Sequence, residues 1–570
     1  MNALKGFALL PLAAALMIGC ASERSADPKV SVDPGAEYYG TREPWAREAI
    51  YFVMTDRFVD GDSSNNFEDQ GGDHPSWEGR LQGPDGEEAF IGYMGGDFRG
   101  LLNNADYIRD LGFTSVWVTP IIDNPDAAFS GGDEVTFGGS GDGGKTGYHG
   151  YWGVNFFKVD EHLESDDLSF ADLTQALEEE YGLKLVLDIV ANHGSPAWGM
   201  DEPHGNFGQI YGPEGELLAD HGNVHPNDLD PASNPLQRWF LHEPDIAELA
   251  SLDPDNPEVM DYFVNAYLQW IEQGAAAFRI DTIKHQPHHF WKEFVGRIRA
   301  EHPDFFMFGE SWSYEAAEIA EHTYPENGGV SVIDFPGRQH MTQVFENPGS
   351  DFAEILGYLY LENSPYQNPY ELATFYDNHD MSRLDADTGG YMSANNWLFT
   401  ARGIPVVYYG SEIGFQSGLA EHYGNRNYYG EENIARAEGH PIAEALRHIA
   451  HIRQQSVALQ KGLQVNLDFA GDTAAFLRVY QVDGVAQTAL VLLNKGDRAT
   501  AVTAEGMINT GRWEELGGDA VITVDDTGAH PAITLEVPAH GVRVLAFNEP
   551  VNNPALAARL EELRIPASPR

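Results

Sequence analysis

Apolar residues in this chain fall into short unbroken runs, each ending in polar residues and separated from the next by helical spacing. Such runs lie at 49–54, 114–118, 183–187, 275–280, 305–309, 331–335, 372–376 and 404–409. Apolar without alternation, they fit strands buried on both faces of a parallel sheet. Helical patterns at 167–181, 257–273 and 442–452 fit crossover connections. The expected fold class is therefore α/β, a (β/α)8 TIM barrel over residues 45–193 and 253–460. Residues 194–252 break the rhythm with many Pro, Gly, His and Asn, and read as an inserted domain after the third strand. From about 461 to 549 the runs alternate, as at 474–480, 488–493 and 533–537, with turn residues between them. That pattern predicts a C-terminal antiparallel β-sandwich. Residues 550–570 form a tail with a short helix at 554–563.

The polar ends of the runs are chemically alike. One ends in Arg279 and Asp281, which point the same way because side chains alternate along a strand. An arginine beside an aspartate keeps the acid ionised, which suits a carboxylate nucleophile; a purely structural ion pair is the alternative. Asp188 with His193, then Glu310, then His379 with Asp380, end three other runs. Acids and histidines at the C-terminal ends of several barrel strands are expected to share one mouth.

Residues 1–20 read as an export signal: Lys5, an apolar core over 7–18, then Gly19 and Cys20. Cys20 is the single cysteine, placed where a lipoprotein signal carries its lipidated residue. An ordinary cleaved signal is the other reading. No intramolecular disulfide is then available. Residues 21–44 read as a flexible tether. Asp plus Glu number 88 against 34 Lys plus Arg, a formal net charge of −54. That surface repels nucleic acid and anionic lipid, leaving a lipid anchor on Cys20 as the expected membrane contact. A halophilic setting accounts for the charge, since salt screens self-repulsion; a merely acidic exported protein is the alternative.

Residues 55–66 crowd Asp and Asn oxygens into a tight loop, which suits calcium. The register is wrong for an EF-hand, and an Asx-rich turn would look similar. A Gly- and Asp-rich loop over 123–147 is expected to be mobile and to lie on the cleft rim.

Taken together, D-x-x-x-N-H from Asp188 to His193, R-x-D at Arg279 and Asp281, strand-end Glu310, and N-H-D from Asn378 to Asp380 resemble the α-amylase family of glycoside hydrolases. Residues 112–120 and 403–412 agree with it, and the resemblance spans roughly 45–460. It implies endo-type hydrolysis of α-1,4-glucosidic bonds in starch or maltooligosaccharides with retention of configuration, through two carboxyls about 5–5.5 Å apart. By position Asp281 is the nucleophile, Glu310 the acid/base and Asp380 the group that braces the distorted ring. His193 and His379 would donate to sugar hydroxyls, Asp188 hold Arg279, and Lys284 and His285 contact the leaving-side glucose units. His149 and Tyr151, in Y-H-G-Y-W, would line the subsite of the attacked sugar, with Tyr151 under its ring.

The 60–66 loop resembles the calcium loop of the cyclodextrin glucanotransferase branch. That implies a Ca2+ held by Asp60, Asp62, Asn65, Asn66, the Gly95 carbonyl and Asp97. A second family calcium site would draw on Asn192 and the His285 carbonyl, but Ser251 stands where the family has an Asp ligand. Glucanotransferases of that branch carry further C-terminal domains not seen here, so hydrolysis is expected over transglycosylation; a cyclodextrin-hydrolysing or transglycosylating relative is the second reading. A non-catalytic glucan-binding member would have lost catalytic acids, and all three are present. The expected partner is an α-glucan, acted on by a monomer.

Overall fold

A computed structural model describes residues 33, 35–68, 70–525 and 530–564. The expected export signal, Cys20 included, lies outside them. Eight parallel strands form one sheet: β1 (Ile50–Val53), β2 (Ser115–Val118), β3 (Lys184–Ile189), β4 (Ala275–Ile280), β5 (Phe306–Gly309), β6 (Ser331–Val332), β7 (Ala373–Thr374) and β8 (Ile404–Tyr408). Their order runs β6-β5-β4-β3-β2-β1-β8-β7, and a parallel bridge from Ile333 to Ala373 joins the two ends. The sheet is thus a closed barrel, and the helices Pro257–Glu272 and Pro441–Gln454 fall on the expected periodic stretches.

β6 is shorter than its apolar run, for a polar reason. Asp334 leaves the strand to accept a hydrogen bond from Gly337 N (2.9 Å) and so caps the helix Phe335–Phe345. Its other oxygen takes Arg402 Nη1 at 2.8 Å, both side chains buried.

The inserted domain contains a hairpin, Gln209–Tyr211 with Leu217–Asp220, and 3-10 turns, as its turn-rich composition suggests. It stands on a two-stranded ladder, His193–Pro196 against Leu249–Ser251, which pairs His193 with Ser251. The loop over 123–147 carries structure of its own. Val135 N bonds Gly143 O, Gly143 N bonds Asp133 O, and Phe129 is fully buried against Trp152 and Phe207.

The C-terminal region builds a six-stranded antiparallel sheet over Leu463–Phe547 and a two-stranded partner, Thr500–Glu505 with Ala532–Val537. Buried Arg478 fastens it to the barrel through backbone carbonyls, donating to Thr400 O and Ala401 O as well as to Gly462 O. Buried Arg453 ties barrel segments together by donating to Phe399 O, Gly403 O, Leu459 O and Ala46 O. The expected tether at 21–44 is held to the C-terminal region where it is described. Tyr38 is buried and exchanges backbone hydrogen bonds with Gln481, while Gly40 N bonds Lys461 O. The helix Pro554–Leu563 packs Leu556, Leu560 and Leu563 into the C-terminal core.

Candidate active site

Burial decides the geometry at the barrel mouth. Arg279 is fully buried near the end of β4, and such a cation must be paired. Its Nη1 lies 2.9 Å from Asp281 Oδ1 and 2.9 Å from Asp188 Oδ1; its Nη2 lies 3.1 Å from Glu310 Oε2. One guanidinium therefore gathers carboxylates from the ends of three adjacent strands. Trp117 Nε1 (3.0 Å) and Tyr151 Oη (2.8 Å) also donate to Asp188, fixing it as the arginine's support. Immediately after Asp281, Thr282 takes a left-handed backbone (φ 49, ψ 36). For a β-branched residue that conformation costs on the order of 1–3 kcal/mol, strain of the kind stored at functional sites.

Glu310 and Asp281 sit differently. Burial, only partly opposed by Arg279 and reinforced by Asp380, Asp281 and Asp188, pushes the Glu310 carboxyl up to about 8. Its Oε1 is buried and receives no hydrogen bond. A protonated carboxyl with a free oxygen can donate a proton to something placed beside it. Asp380 is also raised by burial, against the attraction of Arg426, whose Nη2 lies 2.5 Å from Asp380 Oδ1.

Burial lowers His149, His193 and His379, so each is neutral near pH 7, with one N–H and one acceptor nitrogen. His379 Nε2 lies 2.9 Å from Tyr151 Oη and 3.2 Å from Asp380 Oδ2, and the two rings stack. His149 Nδ1 accepts from Tyr151 N. Lys284 Nζ donates to Trp312 O, and His285 Nδ1 meets Asp245 Oδ1 at 3.0 Å.

These groups share one cleft of about 580 Å³. Asp281, Glu310, Asp380, His149, Tyr151, His193, His379, Lys284 and His285 line it, with Arg279 and Asp188 behind them. It also takes in residues that no sequence pattern announced: Asp142, Lys145, Asp245, Trp312, Glu421 and Arg426. Only the exposed aromatic Trp312, two positions after a strand-end acid, offered a signal.

The expected calcium loop folds around two buried oxygens without donors, Asn65 Oδ1 and Asn66 Oδ1. Gly95 (φ +87) brings its backbone so near that an added Cβ would lie 2.8 Å from Asn66 Oδ1. Asp60 Oδ2 accepts from Asn66 Nδ2, and Asp97 accepts from the backbone of Gly61, Asp62 and Gly100. Orphaned amide oxygens beside two acids fit a hard cation. Asp62 is turned to Ser64, whose N and Oγ it accepts, and so caps a short 3-10 turn. At the second location Asn192 Oδ1 and Ser251 Oγ are buried without partners, and Asn192 Nδ2 donates to Asp245. A third acidic group, Asp123, Asp160 and Glu161, has cationic neighbours of its own. Lys158 lies 2.7 Å from Asp123, and His162 Nδ1 lies 2.7 Å from Asp160.

Comparison with known proteins agrees with this geometry. Residues 52–442 match the model of the alpha-amylase catalytic domain. A cyclomaltodextrin glucanotransferase of Klebsiella oxytoca is 28% identical over 546 residues, covering 87% of this chain and 77% of that enzyme. Other glucanotransferases are longer, and the chain spans 50% of one and 49% of another. An Anoxybacillus alpha-amylase structure superposes with TM-score 0.67 at 25% identity, over 89% of this chain and 99% of that one. A cyclomaltodextrin glucanotransferase with a three-domain ABC distribution does so with TM-score 0.69 at 27% identity, over 88% and 99%.

Proposed function

The chain belongs to the α-amylase family, and on that premise we propose that it hydrolyses α-1,4-glucosidic bonds of starch or maltooligosaccharides with retention of configuration. The observation that carries the reading is the unequal pair on one arginine: Glu310 held protonated by burial, and Asp281 held 2.9 Å from the guanidinium. Two carboxyls in different environments can divide acid and nucleophile roles.

In the first half-reaction Asp281 attacks the anomeric carbon while Glu310 gives its proton to the leaving oxygen. Once the proton has gone, the Glu310 carboxylate can take one from the incoming water, which attacks the glycosyl-enzyme and frees Asp281. Asp380, fixed by Arg426 and His379, would brace the distorted ring and stabilise developing positive charge. Neutral His193 and His379 hydrogen-bond to hydroxyls, and the Tyr151 ring offers a face for the apolar side of the sugar.

Proton NMR of the first products from starch tests the reading. The α-anomer should appear first, and early β-anomer would refute retention. Transfer to a sugar acceptor is the second reading, favoured by the exposed Trp312 on the cleft wall. A three-domain glucanotransferase shares this layout, so domain number does not separate the two activities. Accumulation of cyclodextrins from starch would decide for transfer.

We further propose calcium bound through Asn65, Asn66, Asp60, Asp97 and the Gly95 carbonyl, where it would staple the loop after β1 to the segment before the helix Phe98–Asn103. Export with a lipid on Cys20 and adaptation to salt complete the proposal. They rest on residues 1–20 and on the charge of −54. Among the described residues no helix is long and apolar enough to cross a membrane.

A further inference from the structure

The loop over 123–147 crosses the mouth of the barrel. At one end it is bound to the inserted domain: Phe129 packs on Phe207, and Ser130 Oγ meets His204 Nδ1 at 3.3 Å. At its tip it is bound to the segment after β8. Gly138 N donates to His422 O (2.9 Å), His422 Nδ1 meets Gly139 O (2.5 Å), and the Phe137 ring meets Tyr423 edge-on at 5.1 Å. Burial and the nearby Lys145 lower His422 to about 4, so the ring is neutral and its single N–H serves this contact. Gly138 (φ +73) is needed there, since a Cβ would meet the Tyr423 ring at 2.1 Å. The loop is therefore an arch tied at both feet.

Beneath the arch a row of ion pairs runs out from the catalytic centre. Asp380 binds Arg426, and Arg426 Nη1 binds Glu421 at 2.7 Å. Glu421 faces Lys145 at 3.9 Å, and Lys145 binds Asp142 at 2.7 Å. Lys145 is buried, and such a cation stays only because its partners stay. The row stands on one flank of the cleft. The proton donor Glu310 must lie beside the departing oxygen, so its flank, with Trp312 and Lys284, holds the leaving chain. The retained sugars would then lie over Tyr151 and His379, which adjoin Asp380 at the start of the row.

We propose that this arch and its row of charges end the cleft on the retained-sugar side, so that the enzyme recognises the non-reducing end of an α-glucan and releases one short product. The inference rests on the α-glucan hydrolase reading above. It replaces the interior cleavage expected from the sequence with cleavage from chain ends. The ligand chemistry is that of terminal sugar hydroxyls. Charged side chains held in fixed places make strong hydrogen bonds to neutral hydroxyls, and a chain continuing past the row would have to displace its ion pairs.

The test compares maltoheptaose with the same oligosaccharide blocked at its non-reducing end by an ethylidene group, with products separated by chromatography. The free oligosaccharide should give one dominant short product, and the blocked one should react roughly tenfold or more slowly, because an end that cannot dock loses transition-state binding. Removing residues 134–142 and joining Asp133 to Gly143, whose backbones already bond, should restore cleavage of the blocked substrate and broaden the products. Phe137→Ala with Tyr423→Ala loosens the arch more gently and should move products the same way. Equal rates on both substrates with wild-type protein, or a ladder of product lengths, would overturn the proposal. No cleavage of either substrate would instead overturn the hydrolase reading.

Discussion

Replacing Glu310 by Gln should damage activity and improve stability at once, by amounts that depend on pH. Folding moves this carboxyl from 4.5 up to about 8, chiefly by burial. A group whose pKa is raised by folding holds its proton in the native state after the unfolded chain has released it. Its contribution to stability is thus complete below about pH 4.5 and is lost as pH rises through about 8. The displacement corresponds to roughly 5 kcal/mol at most, an upper figure because Gln also removes one partner of Arg279, which keeps Asp188 and Asp281. E310Q and wild type should be similarly stable near pH 5, and the variant should be the more stable by a few kcal/mol near pH 9. Turnover should fall by roughly 10²–10⁴-fold with the proton donor gone. Urea denaturation followed by circular dichroism at both pH values, with reducing-sugar release from starch, measures both effects. A stability difference that does not change with pH would refute the burial argument, and wild-type turnover would refute the acid role.

Asp281→Asn should cost several orders of magnitude in turnover with an unchanged circular dichroism spectrum, since it removes the nucleophile and keeps the shape; residual activity near wild type would sink the assignment. Chelator should lower the melting temperature, as expected when a ligand binds only the folded state, and Asn66→Ala should abolish most of that response. An identical melting curve with and without chelator would leave the loop a plain Asx-rich turn. Sodium chloride should raise the melting temperature between 0.1 and 1 M, as the Debye length falls from about 10 to about 3 Å, by more than sucrose of similar water exclusion does. Activity on a neutral glucan should hold, and a flat or falling curve would remove the halophilic reading.

The meeting of Asp281, Glu310 and Asp380 in one cleft was legible because they sit at the ends of apolar runs, where the strands of a parallel barrel open onto the mouth. Arg426, Glu421, Lys145 and Asp142 were not. They lie in segments without periodicity, and their roles arise from contacts between residues hundreds of positions apart, as between Lys145 and Glu421. The 123–147 loop looked loose because its glycines were read as freedom, whereas Gly138 is fitted to the Tyr423 ring. At β6 the apolar run was right and its end was not, since Asp334 serves the following helix and Arg402. The oxygen-rich loop was legible as a cluster; which of its members had spare oxygens depended on local turns, as Asp62 and Ser64 show.

Were Cys20 lipidated as proposed, the clasp of Tyr38 on Gln481 would set which way the molecule faces. The chain enters β1 from its N-terminal end, and Tyr38, Gly40 and Ala46 are held there by Gln481, Lys461 and Arg453. The cleft opens at the opposite end, beyond the C-termini of the strands. The covalent chain from Cys20 to Tyr38 spans at most about 60 Å. An anchor on Cys20 would hold the molecule by the end of the barrel opposite the cleft. The envelope would then lie behind the molecule and the mouth would look outward, towards polymer too large to enter the cell.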